Sequence, residues 1–498
     1  METGKPLIIN PNTQESKRHQ KNKYEHLGLA YLAAHLEHKG ILVDILDSRA
    51  EELSMKESIE YLKQKTRSLV GFSIFSADAL EWVSEFSKQV KEISPTTLTV
   101  VGGYYPSLET KKTLSEATNI DIAILGEAEL TLEEVINVTN LNGDYTNIRG
   151  IAYRKNTQII KTSPRSLIQN LDDLAFPKRY LTGNQEWFME GSRGCFGKCT
   201  FCAVNPSFSD NQSIWRHRSA KNIIEEMKSL LQHNPSMNKF RFIDCDFLGS
   251  QSMKERNLEF ADLVSKQLPT VDLVIETSVR NISEKNRELI QSLKHAGLSE
   301  VYVGIESGSN EILKKMQKGN NAHKAIEAIR VLEDVGVFYK IGFMMFTPWS
   351  TADSIRENLE FLKNLSFLDL HYLFGTMDVI PGTPAMNCSG EIFYNETKNH
   401  GYYSYRNIPP VENLKMFCSY FSQNYSEFME EIFDIYENNR FKYRSGNTDI
   451  IYKARELSSI VIEIFKYFFE NVCDEKNFNS LAESCLKRYG PKIKKLKE

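Results

Sequence analysis

The sequence predicts an α/β chain: a doubly wound, Rossmann-like first domain, a partial (β/α)6 TIM-like barrel, and a mainly helical end. Three observations predict it. Apolar runs of strand length alternate with helical stretches from the first residues to about residue 385. Runs such as LVGFSIF and IGFMMF are far too short to span a membrane. Beyond PGTP (381–384) the β-like runs give way to sequence rich in Tyr, Phe and Asn. The expected boundaries are 1–145 for the first domain, 146–185 for a connector, 186–385 for the barrel and 386–498 for the helical region. At 498 residues the chain is long enough for two or three full cores. A formal net charge of −4 supplies no basic field for nucleic acid. No apolar segment follows METGKPLIINPN, so no signal peptide is expected and the chain is placed in the cytoplasm. There, eight cysteines read as thiols or metal ligands rather than disulfides.

The first strand is LIIN (7–10). In HLGLAYLAAHLEHKG, Leu29, Leu32, Ala33 and Leu36 fall on one helical face, and Gly40 stops the helix. ILVDIL (41–46), SLVGFSIFS (68–76), TLTVVGG (97–103) and DIAILGE (121–127) repeat the strand pattern. Strands this apolar imply a parallel sheet buried on both faces, with a ligand beyond their carboxyl ends. A dinucleotide domain needs G-x-G-x-x-G after its first strand, and NPNTQESK has no glycine. Asp47 resembles a ribose-binding acid, but nothing accompanies it. Gly102 and Gly103 follow a later strand, where they permit close approach of a bulky ligand or a tight strand-to-helix turn. The connector reads as a short hairpin turning at Lys155-Asn156-Thr157, then a linker broken by Pro164 and Pro177.

EWFMEGSRGCFGKCTFCAV (186–204) holds Cys195, Cys199 and Cys202, spaced C-x-x-x-C-x-x-C. A cubane iron–sulfur cluster needs closely spaced loop thiolates, one for each iron ligated. Gly194 and Gly197 let such a loop curl. Zinc would want a fourth ligand, and only His217 lies downstream. After the loop, 240–246, 272–280, 301–307, 337–346 and 368–380 read as strands separated by helices; with a strand near 186–191 there are about six. Their carboxyl ends carry Asp244 and Asp246, then Arg280, then Glu306 and Ser307. Cys245 should point away from both aspartates and reads as a core thiol. In the last region SSIVIEIFKYFFENVC is an amphipathic docking helix, and Cys388, Cys418, Cys473 and Cys485 lack C-x-x-C spacing, so no second cluster is expected. Tyr402, Tyr403 and Tyr405 suit a substrate pocket or simple packing, and KIKKLKE reads as a solvated tail.

Taken together these motifs resemble the radical S-adenosylmethionine enzymes that carry an N-terminal cobalamin-binding domain. The carriers are LGLAYLAAHLEHKG, Ser73 with Phe75, VVGGYYPS, LGEAELTLEE, the cysteine loop with Phe201, the strand ends, VYVGIESGSNEILKKMQKG and IGFMMFTPWSTADSI. The resemblance covers nearly all of the chain up to about residue 385. It implies a [4Fe–4S] cluster on Cys195, Cys199 and Cys202, whose open iron chelates S-adenosylmethionine. It implies a cobalamin nucleotide tail along Ser73, Phe75, Gly102, Gly103, Gly126 and Glu127. It implies S-adenosylmethionine or cobalamin contacts at Phe201, Asp244, Asp246, Arg280, Glu306, Ser307 and Gly342, with Phe201 and Gly342 beside the adenine. Many cobalamin domains offer cobalt a histidine from D-x-H-x-x-G; here KYEHLG puts Lys23 and Glu25 in those places, with His26 one residue out of register as a surface residue at the helix start.

The reaction implied is reductive cleavage to a 5′-deoxyadenosyl radical, then methylation of an unactivated carbon or phosphorus of a small molecule or peptide. A reductant such as flavodoxin or ferredoxin is the expected partner. A radical rearrangement or cyclisation, and a non-catalytic cobalamin sensor, stand as alternatives. Methylthio transfer would need an N-terminal cysteine trio, and no cysteine precedes Cys195.

Overall fold

The computed structural model describes residues 4–13, 24–140, 143–181, 185–209, 215–387, 392–394, 403–447 and 449–497. Lys23, Cys388 and Tyr402 lie outside the described residues. The first sheet has seven strands in the order β2-β1-β3-β4-β5-β6-β7. These are β1 (Leu7–Asn10), β2 (Asp44–Asp47), β3 (Leu69–Ser73), β4 (Leu98–Gly102), β5 (Ile122–Ile124), β6 (Ile151–Lys155) and β7 (Gln158–Lys161). The first five run parallel, and both sheet faces are covered. Ile8, Leu69, Val100 and Ile122 meet Leu29, Ala33 and Leu36 of helix Leu27–His38. Leu7, Ile9, Val70 and Phe72 point the other way, onto Val83, Phe86 and Val90 of helix Asp78–Ile93. The connector's hairpin joins this sheet antiparallel to β5, and Asn156 takes the left-handed turn position at φ 58°.

The second sheet is wholly parallel: β8 (Trp187–Met189), β11 (Lys239–Phe242), β12 (Asp272–Ser278), β13 (Leu298–Glu306) and β14 (Phe338–Phe343), adjacent in chain order. β9 (Ser192–Arg193) and β10 (Arg216–His217) pair antiparallel across the mouth of the cysteine loop. Phe240, Phe242, Leu273, Ile275, Val301, Val303 and Ile341 pack outward among the surrounding helices. The alternate residues Arg241, Ile243, Glu276, Ser278, Tyr302 and Gly304 therefore face the lumen of a half-barrel. Its sixth position is occupied without a ladder. The segment expected as a strand over 368–380 folds as helix Leu370–Leu373 followed by isolated bridges, Thr376 pairing with Phe346 in parallel. Gly375 sits so close to the Phe343 carbonyl that a Cβ there would lie 2.5 Å from it.

Helices Val411–Asn424, Ser426–Arg444, Ile450–Asn471 and Phe478–Lys497 form the last region. Arg440 and Arg444 close the barrel floor on Glu300 and Asp272, at 2.5 Å and 2.7 Å. The docking helix buries Leu457, Val461, Ile464 and Phe468. KIKKLKE keeps its described lysines exposed, as a solvated end should, but it is helical and anchored: Ile493 is buried in the core and Lys497 pairs with Glu431. Tyr405 is buried, its hydroxyl donating to the Phe346 carbonyl at 2.7 Å. Among the described residues no helix is long and apolar enough to cross a membrane.

Candidate active site

The cysteine loop grows from a tightly pinned turn after β8. Gly191 donates its N–H to Asp244 at 2.9 Å, and Ser192 Oγ donates to the same carboxylate at 2.5 Å. A Cβ at Gly191 would lie 2.9 Å from the Phe247 ring, so glycine is required there. Burial pushes the Asp244 carboxyl up to about 7, against the hydrogen bonds of Gly191 and Ser192. Gly194 takes φ +80°, and the chain curls through Cys195, Gly197 and Cys199. A Cβ at Gly197 would sit 3.3 Å from Cys195 Sγ, 3.5 Å from Cys199 Sγ and 3.6 Å from Arg280 Nη2. Gly197 N–H donates to Cys195 Sγ at 3.2 Å. The Thr200 N–H donates to the Met316 carbonyl and the Ala385 N–H to the Thr200 carbonyl, both at 2.9 Å, so the loop is sewn to distant segments.

The donors suit a cubane cluster in kind: Cys195 and Cys199 Sγ flank Gly197, Cys202 follows in the same loop, an N–H is aimed at a sulfur, and the cations Arg280 and Lys318 lie nearby, although among the described residues the three thiols are not drawn into one preformed metal site. Without metal, burial raises all three thiols, Cys199 to about 11, so loading the site must displace protons.

Beside the loop, Lys318 Nζ meets Glu306 Oε1 at 2.7 Å. Burial alone would lower this ammonium; Glu306, Cys199 and Cys195 outweigh it and hold it above its ordinary value. Glycines make the space. A Cβ at Gly304 would fall 2.7 Å from Lys318 Nζ, and one at Gly342 would fall 2.9 Å from the Tyr302 hydroxyl and 3.3 Å from Glu306 Oε2. Glu306 itself has φ 72°, an unusual backbone for a non-glycine residue at a site. The sequence argument missed Lys318 and Tyr302. The signal lay in KKMQKG, read only as part of a family stretch.

Not every strand-end residue opens onto this space. Asp246 is fully buried, accepting from Thr277 Oγ1 at 2.7 Å, Ser278 Oγ at 2.9 Å and Asn281 Nδ2 at 2.7 Å. Ser307 Oγ donates to Asn358 Oδ1 at 2.8 Å. Arg280 bonds only Ser278 Oγ among the described residues and is exposed, its guanidinium turned to the cysteine loop. Phe201 packs beside Met316, Met377 and Met344. Cys245 is not a core thiol. β11 ends at Phe242, so strand alternation no longer applies; both aspartates turn inward and Cys245 is exposed.

At the first sheet, Gly103 takes φ +110°, and a Cβ would lie 2.5 Å from the Ile74 carbonyl, so the turn itself demands glycine. Gly102 and Gly126 leave open space at their Cβ positions, nothing nearer than 3.9 Å. Phe75 is 66% exposed, an apolar surface at the end of β3, and meets Tyr104 edge-on at 5.0 Å. These glycine gaps and this bare aromatic pair, set beyond the strand ends, fit a flat macrocycle with a tail. Ser73 Oγ is engaged by His26. His26 is the N-cap of helix Leu27–His38 rather than a surface residue: Leu29 N–H donates to its Nδ1 at 3.2 Å, leaving Nε2–H to donate to Ser73 at 2.9 Å. Glu25 is buried on Arg179 Nη1 and Tyr180 N–H, both at 2.8 Å. Asp47 accepts from Asn10 Nδ2 and the Tyr180 hydroxyl, both at 2.7 Å.

Glu127 ties the two sheets together. It accepts from Arg216 Nη1 at 2.9 Å and Arg193 Nη1 at 3.3 Å. Arg193, two residues before Cys195, also reaches Glu129 at 2.8 Å and Glu190 at 2.9 Å and stacks over Tyr31. Tyr104 meets Phe208, in the helix after the cysteine loop, at 5.3 Å.

Comparison with known proteins follows this division of the chain. The Radical SAM superfamily matches residues 189–362, and the B12 binding domain matches residues 18–136. An uncharacterized methyltransferase of Pyrococcus horikoshii is 27% identical over 431 residues, 84% of this chain and 90% of that protein. An anaerobic magnesium-protoporphyrin IX monomethyl ester cyclase of Synechocystis is 25% identical, covering 73% of this chain and 72% of its own. The structure of the cobalamin-dependent S-adenosylmethionine radical enzyme OxsB, with aqua-cobalamin and S-adenosylmethionine bound, shares the fold at a TM-score of 0.79 and 17% identity, over 98% of this chain and 76% of that one. The chain therefore belongs to the radical S-adenosylmethionine enzymes with a cobalamin-binding domain, with a [4Fe–4S] cluster, S-adenosylmethionine and cobalamin as its cofactors.

Proposed function

We propose that the enzyme methylates an unactivated carbon or phosphorus of a small-molecule or peptide substrate. The observation that carries this reading is the Tyr104–Phe208 contact, 5.3 Å between ring centres. Tyr104 opens the short helix Tyr104–Leu108 just after β4, and Phe208 lies in the helix that follows the cysteine loop, so their contact sets the two candidate cofactor regions side by side, and we read the space they share as one cleft. When bound, the cluster and corrin supply one-electron cleavage of S-adenosylmethionine and carriage of a methyl group.

The chain's own residues position the reactants. Cys195, Cys199 and Cys202 hold the cluster. Lys318, steadied by Glu306, offers its ammonium to the carboxylate end of S-adenosylmethionine, and Arg280 offers a second cation from the opposite side. Gly304 and Gly342 leave the room this needs. Phe201 and Gly342 flank the adenine, while Asp244 and Asp246 fix the turns that carry these groups. Phe75, Gly102 and Gly126 hold the corrin and its tail; Ser73, engaged by His26, shapes that wall. Neither Glu25 nor His26 is free to reach cobalt. An electron carrier such as flavodoxin or ferredoxin supplies the reductant.

Cyclisation without methylation is the second reading, favoured by the likeness to the Synechocystis cyclase. Anaerobic turnover with S-adenosylmethionine and a reductant separates the two: methylation adds about 14 Da to the substrate and cyclisation does not. Absence of 5′-deoxyadenosine under those conditions would remove both.

A further inference from the structure

We propose that the Glu276 carboxylate, facing the barrel lumen beside Tyr302, anchors a positively charged nitrogen of the substrate. This rests on the reading of the cleft as an active site and names the class of molecule it takes: a primary or secondary amine, or a guanidine.

In the β12–β13 ladder Glu276 stands opposite Tyr302, and Ser278 opposite Gly304. The Ser278–Gly304–Gly342 row belongs to the rim, where Arg280, Lys318, Glu306 and the cysteine loop converge. Glu276 lies one pleat deeper, about 6.6 Å further in for two residues of strand. The rim residues suit the cofactors; what reaches past them to this depth is the substrate.

The deeper row is open. Ile243 is 43% exposed and Tyr302 37% exposed, although both sit on inward-facing positions of the barrel. Cys245 is exposed above them. Its turn is held to β12 by the Phe247 N–H, which donates to the Glu276 carbonyl at 2.9 Å.

Among the described residues no cation and no hydrogen-bond donor meets the Glu276 side chain. The neighbouring cations have other partners: Arg241 is bound to Glu186 at 2.8 Å, Lys340 faces Glu437 at 3.8 Å, and Lys318 is held by Glu306. Burial pushes the Glu276 carboxyl up to about 7, with Arg241 pulling weakly against it. A carboxylate in this position lacks only a counter-ion. Tyr302, its phenol pushed up by partial desolvation and by Glu306 and Glu276, stays neutral and can share a hydrogen bond with the same ligand group.

Cys245 provides a native reporter. The cluster-loaded, cobalamin-loaded enzyme with S-adenosylmethionine bound is alkylated anaerobically with (2-bromoethyl)trimethylammonium, iodoacetamide or iodoacetate. Peptide mass spectrometry reads the rate at Cys245, normalised to the exposed Cys473 of the same molecule. The expected cation-over-anion preference at Cys245 is about tenfold or more, falling to about one in Glu276→Gln. S-adenosylmethionine affinity should be unchanged in that variant.

Two results would each overturn the assignment: no cation preference, or a preference that survives Glu276→Gln; the alkylation is run at alkaline pH, because burial raises the Cys245 thiol. Weakened S-adenosylmethionine binding in Glu276→Gln would also overturn it, by giving the carboxylate to the cosubstrate instead. Release of 5′-deoxyadenosine from the same preparation reads the proposed reaction separately, so the two ideas fail independently.

Discussion

Lys318 is the side chain whose replacement discriminates most sharply at the residue scale. Losing one charge-assisted bond of about 1.5–3 kcal/mol corresponds to about 10–150-fold weaker S-adenosylmethionine binding in Lys318→Met. Cluster content should stay the same, and Lys318→Arg should recover part of the affinity; equilibrium dialysis with the reconstituted enzyme measures both. Asp244 gives a pH signature. Its folded carboxyl titrates near 7, well above the ordinary value near 4, so the native state holds a proton that the unfolded chain has already lost between those limits. Its contribution therefore falls as pH rises from about 4 to about 7. In Asp244→Asn the slope of unfolding free energy against pH should become less negative across that window, as read by urea titrations. The cysteine trio stood out in the sequence because a cluster would need its ligands close together. Lys318 was not, because only folding brings it beside Cys199, and a lysine in a charged run reads as solvated surface. Cys245 was misread because the strand ended three residues before it.

Turns at strand ends carry the function at the scale of elements, and their glycines have different reasons to be there. Gly103 is fixed by its own backbone: Gly103→Ala should cost about 1–3 kcal/mol in strain and lower cobalamin uptake with it. Gly102 has space around it, so Gly102→Ala should leave stability within about 0.5 kcal/mol while weakening cobalamin retention. Denaturant curves paired with corrin absorbance separate the two effects. The strand positions and the helices between were readable from period, because each strand buries both faces or one; their order in the sheet was not. The sixth barrel segment was not: 368–380 is as apolar as a strand, but it lies under the C-terminal helices, and contact with Phe421 and Phe465 buries Phe374 without a ladder. His26 escaped notice as a helix cap because histidine is not among the usual capping residues, and its second bond, to Ser73, joins residues far apart in sequence.

In the molecule as a whole, the contact between the two parallel sheets decides whether the cofactor sites face each other. Arg193 is the clasp, held among Glu127, Glu129 and Glu190 two residues before Cys195. Arg193→Met leaves Glu129 and Glu190 without their cation, while Glu127 keeps Arg216, and should cost about 3–5 kcal/mol. Calorimetry should show the cobalamin-binding domain melting apart from the barrel, where the parent enzyme unfolds with the two joined. Such a link joins residues far apart in sequence and has no motif, so only the folded chain displays it.

The central claim is that Cys195, Cys199 and Cys202 alone grip a four-iron cluster while a separate domain grips cobalamin. Anaerobic reconstitution followed by iron, sulfide and corrin analysis tests it on the parent enzyme and on a Cys195→Ala, Cys199→Ala, Cys202→Ala triple variant. The parent should hold about four irons, four sulfides and one corrin per chain, and the variant should lose the iron and sulfide with corrin unchanged. Zinc in place of iron in the parent, or iron retained by the triple variant, would contradict the account.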